Sequence, residues 1–181
     1  LRSSLLMSNY ITSNFSNLIF SCSVPSQWHM EHRVPDHCVV FVRQGKLLIS
    51  DKGRTEEIPA GSCVFLKKDC SVRLVKASFA GKNYEGLNIR LPQNILEDYF
   101  QRHLKNNEFP QDFTGLSNCF MRLNRTLCLQ GLLSSIILFV EEGQDPGQEM
   151  TELKVEELIL DLLQTNIRFF PTLFDFYRDW N

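Results

Sequence analysis

Short runs of β-branched and aromatic residues, punctuated by Gly, Asp and Pro, fill the first half of the chain; helical spacing replaces them in the second. Residues 10–30, rich in Asn, Ser, Phe and Ile, read as one or two opening strands. Cys38-Val39-Val40-Phe41-Val42, ending at Gly45, reads as a buried strand and turn. Leu47-Leu48-Ile49 and Glu56-Glu57-Ile58 flank Asp51-Lys52-Gly53, a hairpin signal with glycine where φ is positive. Pro59-Ala60-Gly61 turns the chain into a strand over Ser62–Lys67. After a turn at Asp69-Cys70 come Val72–Val75 and, as the last strand expected, Gly86–Leu91. Strands this short and this evenly spaced predict a barrel or a sandwich.

After Pro92, at a helix start, Leu96, Tyr99, Phe100 and Leu104 recur at helical spacing. A loop follows at Phe109-Pro110. The spacing then predicts a helix over Leu127–Glu142 that is apolar on nearly all sides, and such a helix must be buried on all sides. Two arrangements satisfy it. Leu129, Leu132, Leu133, Ile136 and Val140 can form a dimer interface with a second copy, or the helix can lie between the barrel and the terminal helices of its own chain. Past a break at Gly143–Gly147, Thr151 offers an N-cap for a helix over Glu152–Thr165, and a short final helix is expected near Pro171. The fold class is therefore α+β: a small β-barrel over residues 1–92, then three to four helices over 93–181.

Composition narrows the function. The 181 residues are 43% hydrophobic with 14 Phe, enough for a sizeable core. Residues 1–110 hold 14 Lys/Arg against 10 Asp/Glu, and residues 111–181 hold 5 against 11. Neither half has the basic stripe of a nucleic-acid reader. The six cysteines show no metal spacing and sit among apolar neighbours, as buried thiols do in a reducing cytoplasm. No stretch is long enough to span a membrane, and Leu1–Met7 is too short for a signal peptide.

Gly53 to Gly61, with Pro59-Ala60-Gly61 at its end, resembles the second signature of a cupin, a jelly-roll barrel. In that signature a histidine and an asparagine follow, but this chain has Val64 and Lys68 there. Counting back from Gly45 through the first signature puts Cys38 at the carboxylate position. The histidine pair falls on His32 and Val34, or on Glu31 and Arg33 with the longer gap. At most one of four metal positions then holds a ligand, where iron, manganese or zinc needs several imidazoles and carboxylates. No metal, cofactor or catalytic residue is expected, and there is no nucleophile elbow or phosphate loop. The competing reading is a stand-alone cupin enzyme with an atypical site.

The order of these elements, with Leu153-Lys154-Val155-Glu156-Glu157-Leu158-Ile159-Leu160 after the break, resembles the N-terminal regulatory domain of AraC-family transcription regulators, and among them the activators of type III secretion. The resemblance implies a homodimer, control by a small effector or by a protein antagonist, and DNA binding through two helix-turn-helix units expected beyond residue 181. Strand parity puts Cys38, Val40 and Val42 on one wall of the cavity and Val64 and Leu66 on another. So apolar a wall suits a fatty or aromatic effector, or the protein's own side chains, better than a sugar. Arg73 and Arg90 are candidates to pair with an effector carboxylate at the rim; Arg43 is a third arginine able to do so.

Overall fold

The computed structural model describes residues 10–108 and 114–180. Leu1–Met7 and the loop at Phe109-Pro110 lie outside them. Among the described residues, ten strands form two antiparallel sheets. The six-stranded sheet runs in the order β1 (Ile11–Phe15), β2 (Ile19–Val24), β9 (Tyr84–Leu91), β4 (His37–Gln44), β7 (Cys63–Leu66) and β10 (Phe120–Arg122). The four-stranded sheet runs β3 (Trp28–Arg33), β8 (Ser71–Ala77), β5 (Lys46–Asp51) and β6 (Arg54–Pro59). The helices are α1 (Gln93–His103), α2 (Leu127–Glu142), α3 (Gln148–Thr165) and the short α4 (Phe169–Leu173), with a 3₁₀ turn over Asp175–Trp180. This is the α+β jelly roll with appended helices, built as two facing sheets.

The glycines do what the sequence asked of them. Asp51 pairs with Arg54 across the two-residue loop Lys52-Gly53, whose φ values of 46° and 81° make the left-handed hairpin turn. Gly61, at φ 87°, donates its N–H to the Val42 carbonyl and brings the chain into β7.

Three placements differ from expectation. The opening residues make three strands rather than one or two, because Ser16-Asn17 turn with positive φ and let β1 and β2 pair as a hairpin. β10 returns from the helical half to pair with β7, so the sheet does not end at β9. Thr151 does not cap its helix: α3 begins at Gln148, and the buried Thr151 hydroxyl donates to the Gly147 carbonyl from inside the first turn.

Two cores share the six-stranded sheet. On β4, Cys38, Val40 and Val42 face the other sheet, while Val39 faces the helices, so the strand is buried on both sides. The inner layer includes Leu47, Ile49, Ile58, Val64 and Leu66. The outer layer joins Ile19, Phe65, Ile89 and Leu91 to Leu96 and Phe100 of α1, Leu129, Leu132, Leu133 and Ile136 of α2, and Leu158 and Leu162 of α3.

Candidate functional site

Between the sheets lies a cavity of about 440 Å³, in the size range of small-molecule pockets. Cys38 and Val40 of β4, Leu66 of β7 and Arg90 of β9 line it. Val42 and Val64 are fully buried in the same inner layer but do not reach its wall. Arg73 lies elsewhere. It projects from the outer face of β8, exposed, with its Nε 3.1 Å from Glu31.

The positions that hold metal ligands in a cupin lie in this interior, with His32, Val34 and Cys38 at the cavity wall. Only His32 brings an imidazole, and burial holds its pKa below the ordinary value. Burial first, then the neighbouring Asp36 carboxylate, pushes the Cys38 thiol up to about 12, so it stays protonated at neutral pH. Among the described residues no three His, Cys, Asp or Glu side chains are grouped to hold an ion.

The rim cation is occupied. Arg90 donates from Nη2 to Asp36 at 2.5 Å and from Nη1 to the Asn17 carbonyl at 2.7 Å, tying β9 to both flanking turns. Arg43 is held by Glu141 at 2.7 Å and faces Glu85.

A second cation went unnoticed in the sequence. Lys76 shares the inner face of β8 with Val72 and Leu74, is 8% exposed and lines the cavity. No carboxylate among the described residues lies within ion-pair distance of it. Its Nζ contacts the Cys22 sulfur at 3.5 Å and stands over the rings of Trp28 (5.1 Å) and Tyr84 (5.3 Å). Cation–π contacts contribute on the order of 0.5–2 kcal/mol each, less than the several kcal/mol that an unpaired ammonium loses on leaving water. Nearby, the Tyr84 hydroxyl and the Asn88 Oδ1 are sealed from solvent without a hydrogen-bond partner. Burial raises the Tyr84 pKa well above its ordinary value, so the phenol keeps its proton. The site is thus a mostly apolar chamber with the Arg90–Asp36 pair at its rim, one unmatched positive charge and two unmatched polar atoms in its wall. Lys76 and Tyr84 are not legible in the sequence because β8 and β9 extend beyond the runs that show alternation. β8 runs on to Ala77, which places Lys76 inward, and β9 begins at Tyr84, which places Tyr84 inward; Asn88 lies within the expected Gly86–Leu91 and shares the parity of Arg90.

The five α2 residues expected to meet a second copy are placed differently. Leu129, Leu132, Leu133 and Ile136 are buried inside this chain, in the core shared with the sheet and α3, and Val140 packs at its margin. On these two helices the large apolar side chains exposed at the surface are Leu127 and Leu138 of α2 and Met150, Leu153 and Leu160 of α3.

Residues 37–169 match the model of a family described as the ExsA N-terminal regulatory domain. The fold is similar to an apo form of ToxT from Vibrio cholerae, with a TM-score of 0.62 and 13% identity over 90% of this chain and 60% of that one. ToxT from the same organism bound to an unsaturated fatty acid gives 0.55 at 13% identity, over 80% of this chain and 52% of that one. ToxT bound to (E)-4-(8-methylnaphthalen-1-yl)but-3-enoic acid gives 0.51 at 13% identity, over 80% of this chain and 56% of that one. The chain therefore spans between half and 60% of the length of these ToxT chains. No curated protein matches the sequence. No helix among the described residues is long and apolar enough to cross a membrane.

Proposed function

The chain belongs to the family of ExsA N-terminal regulatory domains, the regulatory domains of AraC-type regulators, and from that premise we propose that it senses an apolar carboxylic acid in the cavity between its sheets. The domain works by binding rather than catalysis, and its output is the activity of a DNA-binding part of the same regulator. The observation that carries this reading is Lys76, a buried cation with no carboxylate within ion-pair distance among the described residues, in a chamber whose wall is mostly apolar. An aliphatic or aromatic acid supplies the missing charge and fills the apolar volume in one step. The acids bound to the two ToxT structures have this character.

The route from ligand to output follows from β4 and β9. Val40 faces the cavity while its neighbour Val39 packs on the helical side, and Asn88 and Ile89 divide in the same way. Filling the chamber shifts strands whose other face carries the helices. Self-association belongs to the same reading, and it uses the exposed apolar side chains of α2 and α3, since the buried set already has partners.

Thermal unfolding tests the sensing claim. Saturating dodecanoic acid raises the unfolding midpoint of the 181-residue chain by about 5–10 °C at roughly a hundred times its dissociation constant. Dodecanol does so far less, because it brings no charge to Lys76. Equal shifts from acid and alcohol, or no shift from either, sink the proposal.

A further inference from the structure

Tyr84, Gly86, Asn88 and Arg90 alternate along β9 and share its inner face. The Tyr84 ring lies along the strand with its hydroxyl over Gly86, because a Cβ there would meet that oxygen at 2.6 Å. Lys76 stands over the same ring. The polar groups of the chamber therefore form a track in the order Lys76, Tyr84 hydroxyl, Asn88 and Arg90. Met30, Leu47 and Leu74 on the other sheet add apolar wall.

We infer that the ligand is a hydroxy acid: an apolar acid whose carboxylate meets Lys76 and the Tyr84 hydroxyl, and which donates a hydroxyl proton to the Asn88 Oδ1. This rests on the reading above that the cavity takes an apolar acid, and it adds the second polar group and the direction. The acid lies at the Lys76 end because the cation at the other end, Arg90, is already held by Asp36 and the Asn17 carbonyl. A plain aliphatic acid satisfies Lys76 but presses methylenes against the Asn88 oxygen. That oxygen, sealed from solvent and without a hydrogen-bond partner before the ligand enters, then gains none. Sites built to hydrogen-bond a hydroxyl reject the analogue without it far more strongly than they sense a missing methylene.

Calorimetric titration of the 181-residue chain decides the matter with dodecanoic acid and a set of its monohydroxylated isomers. These suit a chamber of about 440 Å³, room for about 15 waters at roughly 30 Å³ each. At least one isomer binds ten times or more tighter than dodecanoic acid. Asn88→Leu removes that preference, bringing the favoured isomer and dodecanoic acid to within threefold of each other, and Lys76→Met weakens every acid tenfold or more. If the wild-type chain binds dodecanoic acid as tightly as every isomer, the hydroxy-acid inference is overturned and the acid reading stands. The wild-type comparison needs no variant to fold. Binding of no acid at all overturns both.

Discussion

The phenolic oxygen of Tyr84 stands 2.6 Å from where a side-chain carbon on Gly86 would begin. The aromatic ring cannot yield as a flexible chain end would, and the Phe41 carbonyl closes the other side at 3.0 Å. Gly86→Ala therefore displaces the Tyr84 hydroxyl from the polar track. We expect a loss of about 1–3 kcal/mol in stability by chemical denaturation, the range for overpacking. We also expect weaker acid binding at temperatures where the variant stays folded. Full retention of both would place Tyr84 elsewhere.

His37 gives a pH signature. It is 1% exposed, accepts the Lys68 N–H on Nδ1 at 3.0 Å and stacks on Phe65. Burial, then the Lys68 cation, lowers its pKa from 6.5 to about 4; Asp175 pulls the other way and Lys67 adds a smaller depression. A base whose folded pKa lies below its unfolded value favours folding while neutral. Its contribution is complete above about pH 6.5 and is lost as the pH falls toward 4, up to about 3 kcal/mol. Denaturation at a series of pH values should show wild-type stability falling faster than that of His37→Asn through this window. Parallel curves would mean that His37 takes up its proton without cost.

Thr126 couples a cap to a buried charge. Its Oγ1 accepts the Leu129 N–H at 3.0 Å and donates to Asp161 at 2.8 Å, and Asp161 is 7% exposed. Thr126→Ala removes the cap of α2, worth about 1 kcal/mol, and also withdraws a donor from a largely buried carboxylate. The loss expected in urea denaturation is about 2–3 kcal/mol, and Thr126→Ser restores most of it. A loss no larger than that of an ordinary cap would show that Asp161 finds water.

Where glycine and proline dictate the chain's direction, the fold was legible from sequence. Gly45, Gly53 and Gly61 all have positive φ, and the strands between them fall where alternation placed them. β10 was not legible: Phe-Met-Arg is too short to show a period, and its pairing with β7 is a contact across some 55 residues. In the site, parity brought Cys38, Val40, Leu66 and Arg90 to the wall, whereas Val42 and Val64 share the inner layer without reaching the space. Arg73 is separated from it by the alternation of β8 itself, one residue from Leu74 and three from Lys76. Lysine at a strand end reads as solvated, and only the closure of the six-stranded sheet over it shows otherwise.

An apolar helix can be covered from within or from outside, and its sequence is the same in both cases. On α2 the cover for Leu132 and Ile136 comes from this chain, so paired Leu132→Glu and Ile136→Glu should unfold the domain rather than yield a folded monomer. On α3, Leu153 and Leu160 are seven residues apart on one stripe, 57% and 47% exposed, with Met150 one turn earlier. Regulators that read repeated half-sites match their two-fold geometry, and this stripe is where a second copy can dock without disturbing the core. Leu153→Glu with Leu160→Glu should keep the wild-type unfolding midpoint to within about 2 °C and convert a dimer to a monomer in sedimentation. A dimer that survives these two charges would move self-association away from α3.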